Sequence, residues 1–338
     1  MTAKVKLLPS GHEFSVEPGE NLLDAALRAG LSIRYSCNSG SCGECRARLV
    51  SGELGDALHH DYAFNERERA DGQFLMCRTS AASDLVIEAV EARGAADVPV
   101  QTLTTQVNKL VRLSEDVMEL HLRTPRSQTL WFLAGQHVRL NIPGIAPRHK
   151  SIASCPCNGM VLQFHVRRRP GDPFSDHVFT RMKVRDTIGV EGPFGSFVLN
   201  EESTRPLIFI AFETGFAPIK SLIEHAISLE MRQPMRLYWI TAGVRGHYLE
   251  NHCRAWQDAL DDFGFVPIGG SDAPGGRGTG AELAMERAVT RLLTDYPDLA
   301  GHDVYANGPE VLFAGLSAAL IARGLPPDRL FVDQVQRF

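Results

Sequence analysis

The sequence lacks any apolar run close to the ~20 residues that a membrane-spanning helix needs. Its first residues carry neither a long apolar stretch nor a small-residue cleavage site of the kind found in secretion signals. It also lacks an excess of positive charge, because the 338 residues have a formal net charge of −5. That charge argues against direct nucleic-acid binding through a basic surface. These absences predict a cytoplasmic protein without a membrane partner or a direct nucleic-acid partner.

Four of the seven cysteines form a pattern. In a chain without a secretion signal, cysteines usually ligate metals or stay free. Four residues separate Cys37 from Cys42 and two separate Cys42 from Cys45, whereas Cys77 follows much later. A tight triplet with one distant cysteine is the plant-type pattern for a [2Fe–2S] cluster. The spacing therefore predicts one such cluster.

The loop that carries the triplet is rich in small residues. Gly40, Ser41 and Gly43 allow the chain to wrap closely around a cluster, and their exposed N–H groups can bond to its sulfides. Buried, unligated cysteines or a zinc site are the alternatives, but zinc ligands usually come as two short-spaced pairs. The remaining cysteines are predicted to be free thiols: Cys155, Cys157 and Cys253.

Two short segments rich in small or polar residues divide the chain, one near 91–100 and the other near 199–206. They predict three domains of about one hundred residues or a little more, at 1–95, 100–200 and 204–338. The first has a helix-like stretch between strands. The second is rich in short β-like runs, which favours an antiparallel barrel or sandwich. The third alternates strands and helices, which indicates a doubly wound parallel sheet.

The segment Tyr35-Ser-Cys-Asn-Ser-Gly-Ser-Cys-Gly-Glu-Cys45 resembles the ferredoxin domain of bacterial oxygenase reductases. In that family, ferredoxin, flavin and nicotinamide domains share one chain, and the resemblance extends over the whole length here. It implies an α+β and α/β multidomain fold. The expected parts are a β-grasp [2Fe–2S] ferredoxin domain, an antiparallel FAD-binding β-barrel and a Rossmann-like NAD-binding-type domain.

A flavin motif is recognisable in the second domain. Arg148-His149-Lys150-Ser151 resembles the family's Arg-x-Tyr-Ser motif. The resemblance implies that Arg148 pairs with the FAD pyrophosphate, which suits a guanidinium, and that Ser151 lies near flavin N5. The departure is Lys150, which stands where the family's tyrosine packs on the isoalloxazine. A lysine there could instead favour anionic reduced flavin.

A second flavin segment follows. In the family, a glycine-containing turn leads into a helix whose N-terminal amides receive the pyrophosphate. Taken alone, His165 and Arg167 are better explained by a solvated strand face, and only the flanking motif favours a flavin role. The resemblance assigns FAD binding to these residues: His165, Arg167, Gly171, Asp172, Phe174 and Ser175.

The loop of the third domain that resembles a pyrophosphate-binding turn is altered. Phe212 and Glu213 stand where the family has two glycines, whereas Thr214 is retained and is predicted to contact a cofactor. Glycine allows the backbone to approach the pyrophosphate closely. Phe212 adds bulk, and Glu213 adds a charge whose repulsion, at ~5 Å and an effective dielectric of ~20, amounts to about 3 kcal/mol.

Other positions related to the nicotinamide site have also changed. Ile240 and Ala242 replace a glycine and an arginine, Asn307 replaces a cysteine, and Val335 stands near the place of a C-terminal aromatic residue. Because these changes converge on one ligand, they predict that NAD(P)H binding is lost or severely weakened and that the domain is degenerate.

Three functions are compatible with this pattern. The first is a redox sensor or regulator of an aromatic-degradation pathway that exchanges electrons with a ferredoxin and acts through a transcriptional regulator protein. It resembles regulatory relatives of dioxygenase reductases, such as the one in tetralin catabolism. The second is an NADH-dependent reductase for a ring-hydroxylating oxygenase or monooxygenase. The third is a reductase for nucleotide-sugar dehydration. The altered loop favours the first.

Overall fold

The structure is a computed structural model and describes residues 2–243, 247–269 and 280–333. Val335 lies outside the described residues. Within the described ranges, no helix combines the length and the apolar character that crossing a bilayer requires.

The first part of the chain forms a mixed five-stranded sheet with a helix packed on it. Its elements are β1 (Ala3–Leu8), β2 (Glu13–Val16), α1 (Leu22–Arg28), β3 (Arg46–Ser51), β4 (Leu54–Ala57), α2 (Glu66–Ala70), β5 (Gln73–Leu75), β6 (Thr79–Ala81) and β7 (Leu85–Ala89). The strand order is β2-β1-β7-β3-β5, and β1 is parallel to β7 but antiparallel to β2. The Asn21 side chain caps α1 by accepting a hydrogen bond from Asp24 N. The arrangement is the predicted β-grasp.

The second part forms a six-stranded antiparallel sheet that closes on itself. Its elements are β8 (Gln101–Arg112), β9 (Val117–Arg123), β10 (His137–Asn141), β11 (Arg148–Ser151), β12 (Val161–Arg167), α3 (Pro173–Thr180) and β13 (Thr187–Phe194). The order is β11-β10-β13-β8-β9-β12. Just beyond β11, Ala153 N donates to Gln163 O of β12 at 2.7 Å. The two edges therefore meet, and the predicted barrel, rather than a sandwich, is confirmed.

The third part is a parallel sheet covered by helices on both faces. Its elements are β14 (Leu207–Phe212), α4 (Phe216–Ser228), β15 (Met235–Thr241), α5 (Glu250–Ala259), β16 (Phe263–Gly269), α6 (Gly280–Asp295), β17 (Asp303–Asn307), α7 (Glu310–Ala322) and β18 (Leu330–Asp333). The order is β16-β15-β14-β17-β18. Every residue of β14 is buried, because α4 and α5 cover one face and α6 and α7 the other. The doubly wound prediction is confirmed.

The strand order of this third sheet fixes where a ligand crevice belongs. After β14 the chain turns first to β15 and β16 on one side and later to β17 and β18 on the other. The order therefore reverses at β14, and the loop that follows this strand lies at the topological switch point of the sheet. In open α/β sheets, ligands bind at that point, outside the carboxyl ends of the strands.

One prediction about the cysteines is wrong. Cys155 and Cys157 are paired in a disulfide rather than free. They flank Pro156, and the 3₁₀ turn over Pro156–Asn158 folds the chain so that the two sulfurs meet. Cys253 is a buried free thiol, as predicted.

Candidate iron–sulfur and flavin sites

The four predicted cluster ligands come together at one end of the β-grasp sheet. Cys37, Cys42 and Cys45 lie on the loop between α1 and β3, and Cys77 lies in a 3₁₀ turn after β5. All four are free thiols, and only Cys42 is more than slightly exposed. Met76 N donates to Cys45 O at 3.0 Å, which fixes the distant cysteine against the loop.

The backbone of this loop fits a thiolate-bound cluster. Ser39 N and Cys42 N each donate to Cys37 Sγ at 3.4 Å. Burial alone would raise the pKa of Cys37, but hydrogen bonds from Ser41 and Ser39 outweigh it and lower that pKa to about 5. A thiolate is the form that binds iron.

Two positions of the loop must be glycine because neighbouring side chains lie too close for a Cβ. Gly43 has a φ of +75°, and a Cβ there would lie 2.2 Å from Tyr62 Cε2. Gly40 has a φ of +81°, and a Cβ there would lie 2.6 Å from His60 Cβ. The loop can wrap this tightly only because these two positions have no side chain.

The four cysteines are the donor set that a plant-type [2Fe–2S] cluster uses, with the thiolates shared between its two irons. In the described part of the chain, no group of three or more His, Cys, Asp or Glu side chains is placed to hold a single metal ion.

Arg148 of β11 is held beside the start of α3. Its Nη2 lies 2.8 Å from Asp172 Oδ1, and the same carboxylate accepts Ser175 N at 3.0 Å, which caps the helix. The buried Nε of Arg148 has no hydrogen-bond partner in the described structure. An unpaired guanidinium donor beside a helix N-terminus suits a diphosphate, so these residues fit FAD. Gly171 forms the exposed turn just before the helix, with a φ of +80°.

The rest of the first flavin motif lies along β11. Lys150 Nζ is 5.6 Å from the ring of Phe174, which is buried in the barrel core. Burial, assisted by Arg169, lowers the pKa of Lys150 to about 8. The exposed His149 ring packs edge-on against His137, and Ser151 pairs with His137 across the sheet. Contact of these residues with FAD stays a prediction.

His165 and Arg167 face the third sheet. His165 is 4% exposed, and its Nδ1 lies 3.0 Å from Tyr248 Oη. The solvated-face alternative is therefore wrong for His165. Arg167 Nη2 lies 2.6 Å from Glu213 Oε2, and Arg167 Nε lies 3.6 Å from Asp116 Oδ2. Both residues link the barrel to the third sheet, and their contact with FAD stays a prediction.

The side chains of the loop after β14 do not point into the crevice in the way that the sequence predicted. Phe212 is only 8% exposed and packs into the core with Phe313, so it adds no bulk to the crevice. Glu213 instead turns its carboxylate toward β15, where Oε1 accepts Ala242 N at 2.7 Å. Thr214 lies in the same turn and is partly exposed.

Other altered positions are locked into the sheet. Ile240 is fully buried. Asn307 is 3% exposed and donates through Nδ2 to Asp333 Oδ2 at 2.7 Å. A Cβ at Gly215 would lie 2.4 Å from Asn307 Oδ1, so the loop passes directly over this side chain. Burial raises the pKa of Asp333 to about 6.

A contact that the sequence did not indicate joins the cluster domain to the barrel. The carbonyl oxygen of Ser36 accepts two hydrogen bonds from Thr129, one from N and one from Oγ1, each 2.8 Å long. Ser36 precedes the ligand Cys37. Tyr35 is buried against the barrel, where a Cβ at Gly159 would lie 2.4 Å from its Oη. Thr129 lies outside the regular strands, so no periodic pattern singled it out.

A cysteine loop that fits a [2Fe–2S] cluster, docked on a barrel that fits FAD, defines an iron–sulfur flavoprotein. Residues 5–82 match the family model of the 2Fe-2S iron-sulfur cluster binding domain, and residues 104–199 match that of the oxidoreductase FAD-binding domain. These matches confirm both cofactors. The chain belongs to the ferredoxin-reductase-like iron–sulfur flavoproteins, as its full-length relatives show.

Among these relatives is the CDP-6-deoxy-L-threo-D-glycero-4-hexulose-3-dehydrase reductase of Yersinia pestis, which is 32% identical over 98% of both chains. Reductase component 2 of terephthalate 1,2-dioxygenase from a Comamonas species is 31% identical over 96% of this chain and 95% of its own. Among solved structures, the Amycolatopsis cytochrome P450 reductase GcoB is 27% identical, with a TM-score of 0.62 over 98% of both chains.

Proposed function

We propose that this protein is an electron-transfer reductase component that passes electrons from FAD, through its [2Fe–2S] cluster, to a separate ferredoxin or oxygenase component. FAD takes up electrons in pairs and can release them singly to a one-electron centre. The relatives named as reductases of a dioxygenase and of a CDP-hexulose dehydrase support this reading, and they extend the partner class to a dehydrase. We place the protein in the cytoplasm, with domains at 1–95, 100–200 and 204–338.

The Ser36–Thr129 contact is the observation that carries this proposal. Two hydrogen bonds from one barrel residue meet the carbonyl one residue before a cluster ligand. The 2% exposed Thr129 and the 5% exposed Tyr35 exclude water from the junction. A dry, directly bonded contact holds the cluster loop at a fixed separation from the flavin barrel, as an internal electron-transfer step requires.

The test is to reduce the flavin and follow the cluster. The anaerobic holoprotein is photoreduced to the one-electron level, and the visible absorbance of both centres is followed in time. We expect the cluster to be reduced at the expense of the flavin and then reoxidised by an added ferredoxin or by cytochrome c. A cluster that stays oxidised beside a reduced flavin contradicts the proposal.

A conservative variant tests whether the Ser36–Thr129 contact affects the rate of electron transfer from flavin to cluster. Thr129→Val keeps the side-chain shape and the backbone donor but removes the Oγ1 hydrogen bond, which is worth about 1 kcal/mol. We expect internal transfer to slow several-fold. The control is Thr104→Val, at an exposed position of β8 in the same barrel. Equal rates in the two variants would show that the contact does not set the internal step.

A second candidate function is favoured by the Glu213 contacts. A redox sensor or regulator in an aromatic-degradation pathway would exchange electrons with a ferredoxin and act on a transcriptional regulator protein without using NAD(P)H. The ion pair between Glu213 and Arg167 supports this candidate, because it engages the crevice where a dinucleotide would bind.

The two candidates differ in their response to nucleotide. Excess NADH or NADPH is mixed with the anaerobic holoprotein in a stopped-flow instrument. Rapid bleaching of flavin and cluster supports the NADH-dependent reductase. No bleaching by either nucleotide, while dithionite or a reduced ferredoxin still reduces both centres, supports the regulator.

A further inference from the structure

The residue at the switch point of the third sheet has a backbone conformation that favours glycine. Glu213 directly follows β14 and has a φ of +54°, in the left-handed region. A glutamate is rarely found there unless its surroundings hold it. Trp239 Nε1 donates to Glu213 O at 3.0 Å, which anchors the main chain of the turn against β15.

The carboxylate of Glu213 is held by two donors from different parts of the molecule. Oε1 accepts the backbone N–H of Ala242, just beyond β15, at 2.7 Å. Oε2 lies 2.6 Å from Nη2 of Arg167, which ends β12 of the barrel. A strand-end amide and a guanidinium that converge on one point are the donors that commonly bind phosphate oxygens. Here both bind a carboxylate of the chain itself.

We infer that Glu213 is a specificity-determining residue whose carboxylate takes the place of a phosphate in this crevice and excludes the diphosphate of a pyridine dinucleotide. An incoming diphosphate would lose two donors and meet a negative charge. At ~5 Å and an effective dielectric of ~20, that repulsion corresponds to about two orders of magnitude in affinity. Phe212 makes no comparable contribution, because it is buried in the core.

The inference concerns how electrons reach the flavin, and it rests on the proposed function for that consequence alone. With the crevice engaged by Glu213, electrons reach the flavin from a reduced protein partner rather than from NAD(P)H. Such a partner is the donor in the second candidate function above, and not in an NADH-dependent reductase. Binding of the oxidised nucleotide requires no electron transfer. An NAD⁺-binding measurement therefore tests this inference even if electron transfer from flavin to cluster, which tests the proposed function, fails.

The experiment measures the dissociation constant of NAD⁺ for the oxidised holoprotein by isothermal titration calorimetry. Glu213→Gln removes the charge and keeps the shape, whereas Glu213→Gly also removes the side chain and suits the left-handed backbone. The control is Glu202→Gln, which makes the same charge change at an exposed turn. Visible absorbance of cluster and flavin verifies that each variant is loaded and folded.

We expect weak and equal binding by the wild type and the Glu202→Gln control. Binding should be about a hundredfold tighter in Glu213→Gln, which removes the charge, and tighter still in Glu213→Gly, which also frees both donors. Micromolar binding by the wild type, or variants at position 213 that bind no tighter than the control, would overturn the inference. A Glu213→Gly protein that binds NAD⁺ but passes no electrons from flavin to cluster would support the inference and contradict the proposed function.

Discussion

The side chains of Asn307 and Asp333 are joined across neighbouring parallel strands by a 2.7 Å hydrogen bond from Nδ2 to Oδ2. Asn307 ends β17, and Asp333 is opposite it in β18. Burial raises the pKa of Asp333 to about 6, although the hydrogen bond from Asn307 acts in the other direction. The native structure therefore binds a proton at Asp333 more tightly than the unfolded chain does.

This preference predicts a pH dependence of stability. Between the unfolded pKa of about 4 and the native value of about 6, the native protein binds more protons at Asp333 than the unfolded chain does. The contribution of Asp333 to the free energy of unfolding should therefore fall as pH rises through this window, by about 2 kcal/mol in all. Urea titrations from pH 4 to 7 measure it. Asp333→Asn should remove this component, and an unchanged profile would contradict the assignment.

The distant cysteine is expected to be essential for the cluster. Cys77→Ala leaves one iron short of a ligand, so we expect loss of the visible cluster absorbance and of the bound iron, while FAD is retained. Cys253→Ala is the matched control, because Cys253 is also a buried free thiol but lies in α5. It should keep about two irons per chain. Iron analysis and visible absorbance measure the cluster content of both variants. Full iron content in Cys77→Ala would show that Cys77 is not a cluster ligand.

The close approach at Gly43 predicts a large effect of one methyl group. Gly43→Ala adds a Cβ only 2.2 Å from the Tyr62 ring, in addition to the left-handed backbone. Gly19→Ala has a similar φ of +81° but no neighbour within 4 Å, so it isolates the backbone cost of ~1 kcal/mol. We expect Gly43→Ala to lower the free energy of unfolding by at least ~2 kcal/mol more than Gly19→Ala does, and to speed the loss of the cluster. Similar unfolding midpoints for the two variants would show that Tyr62 moves aside freely.

The lowered pKa of Lys150 predicts how FAD binding depends on pH. In the apoprotein this pKa is about 8, and a nearby anionic flavin nucleotide raises it again. Between about pH 8 and pH 10, FAD binding then takes up a proton, so the affinity falls as pH rises, by at most about tenfold per unit. Flavin fluorescence titrations measure this slope.

Two variants of the same residue type test the assignment. Lys150→Met should abolish the slope. Lys109→Met, at an exposed position of β8 in the same barrel, should leave it intact. A slope that survives in Lys150→Met would place this lysine away from the flavin.

The sequence was sufficient for the architecture because its evidence was local and periodic. The spacing of Cys37, Cys42 and Cys45 defined the cluster loop, and the continuous apolar run at 207–212 defined a doubly covered parallel strand. The sequence also placed an unusual charge at Glu213. It could not show which donors that carboxylate meets, because Arg167 and Ala242 come from other parts of the chain.

The errors have the same origin. Phe212 was expected to crowd the crevice, but whether a side chain points into a core or a cleft depends on packing with distant residues such as Phe313. The pairing of Cys155 with Cys157 depends on the turn geometry at Pro156, which the spacing alone did not reveal. The solvated-face explanation failed for His165 for the same reason, because its contact with Tyr248 spans two domains.

At the junction between the cluster loop and the barrel, position 129 should tolerate far fewer substitutions than position 36. Thr129 bonds to the main-chain carbonyl of Ser36 and not to its hydroxyl. Every amino acid has that carbonyl, so position 36 can drift without loosening the junction. Position 129 needs a hydroxyl on a short side chain, which only serine and threonine supply. Substitutions in related chains should therefore be frequent at position 36 and confined to these two residues at position 129.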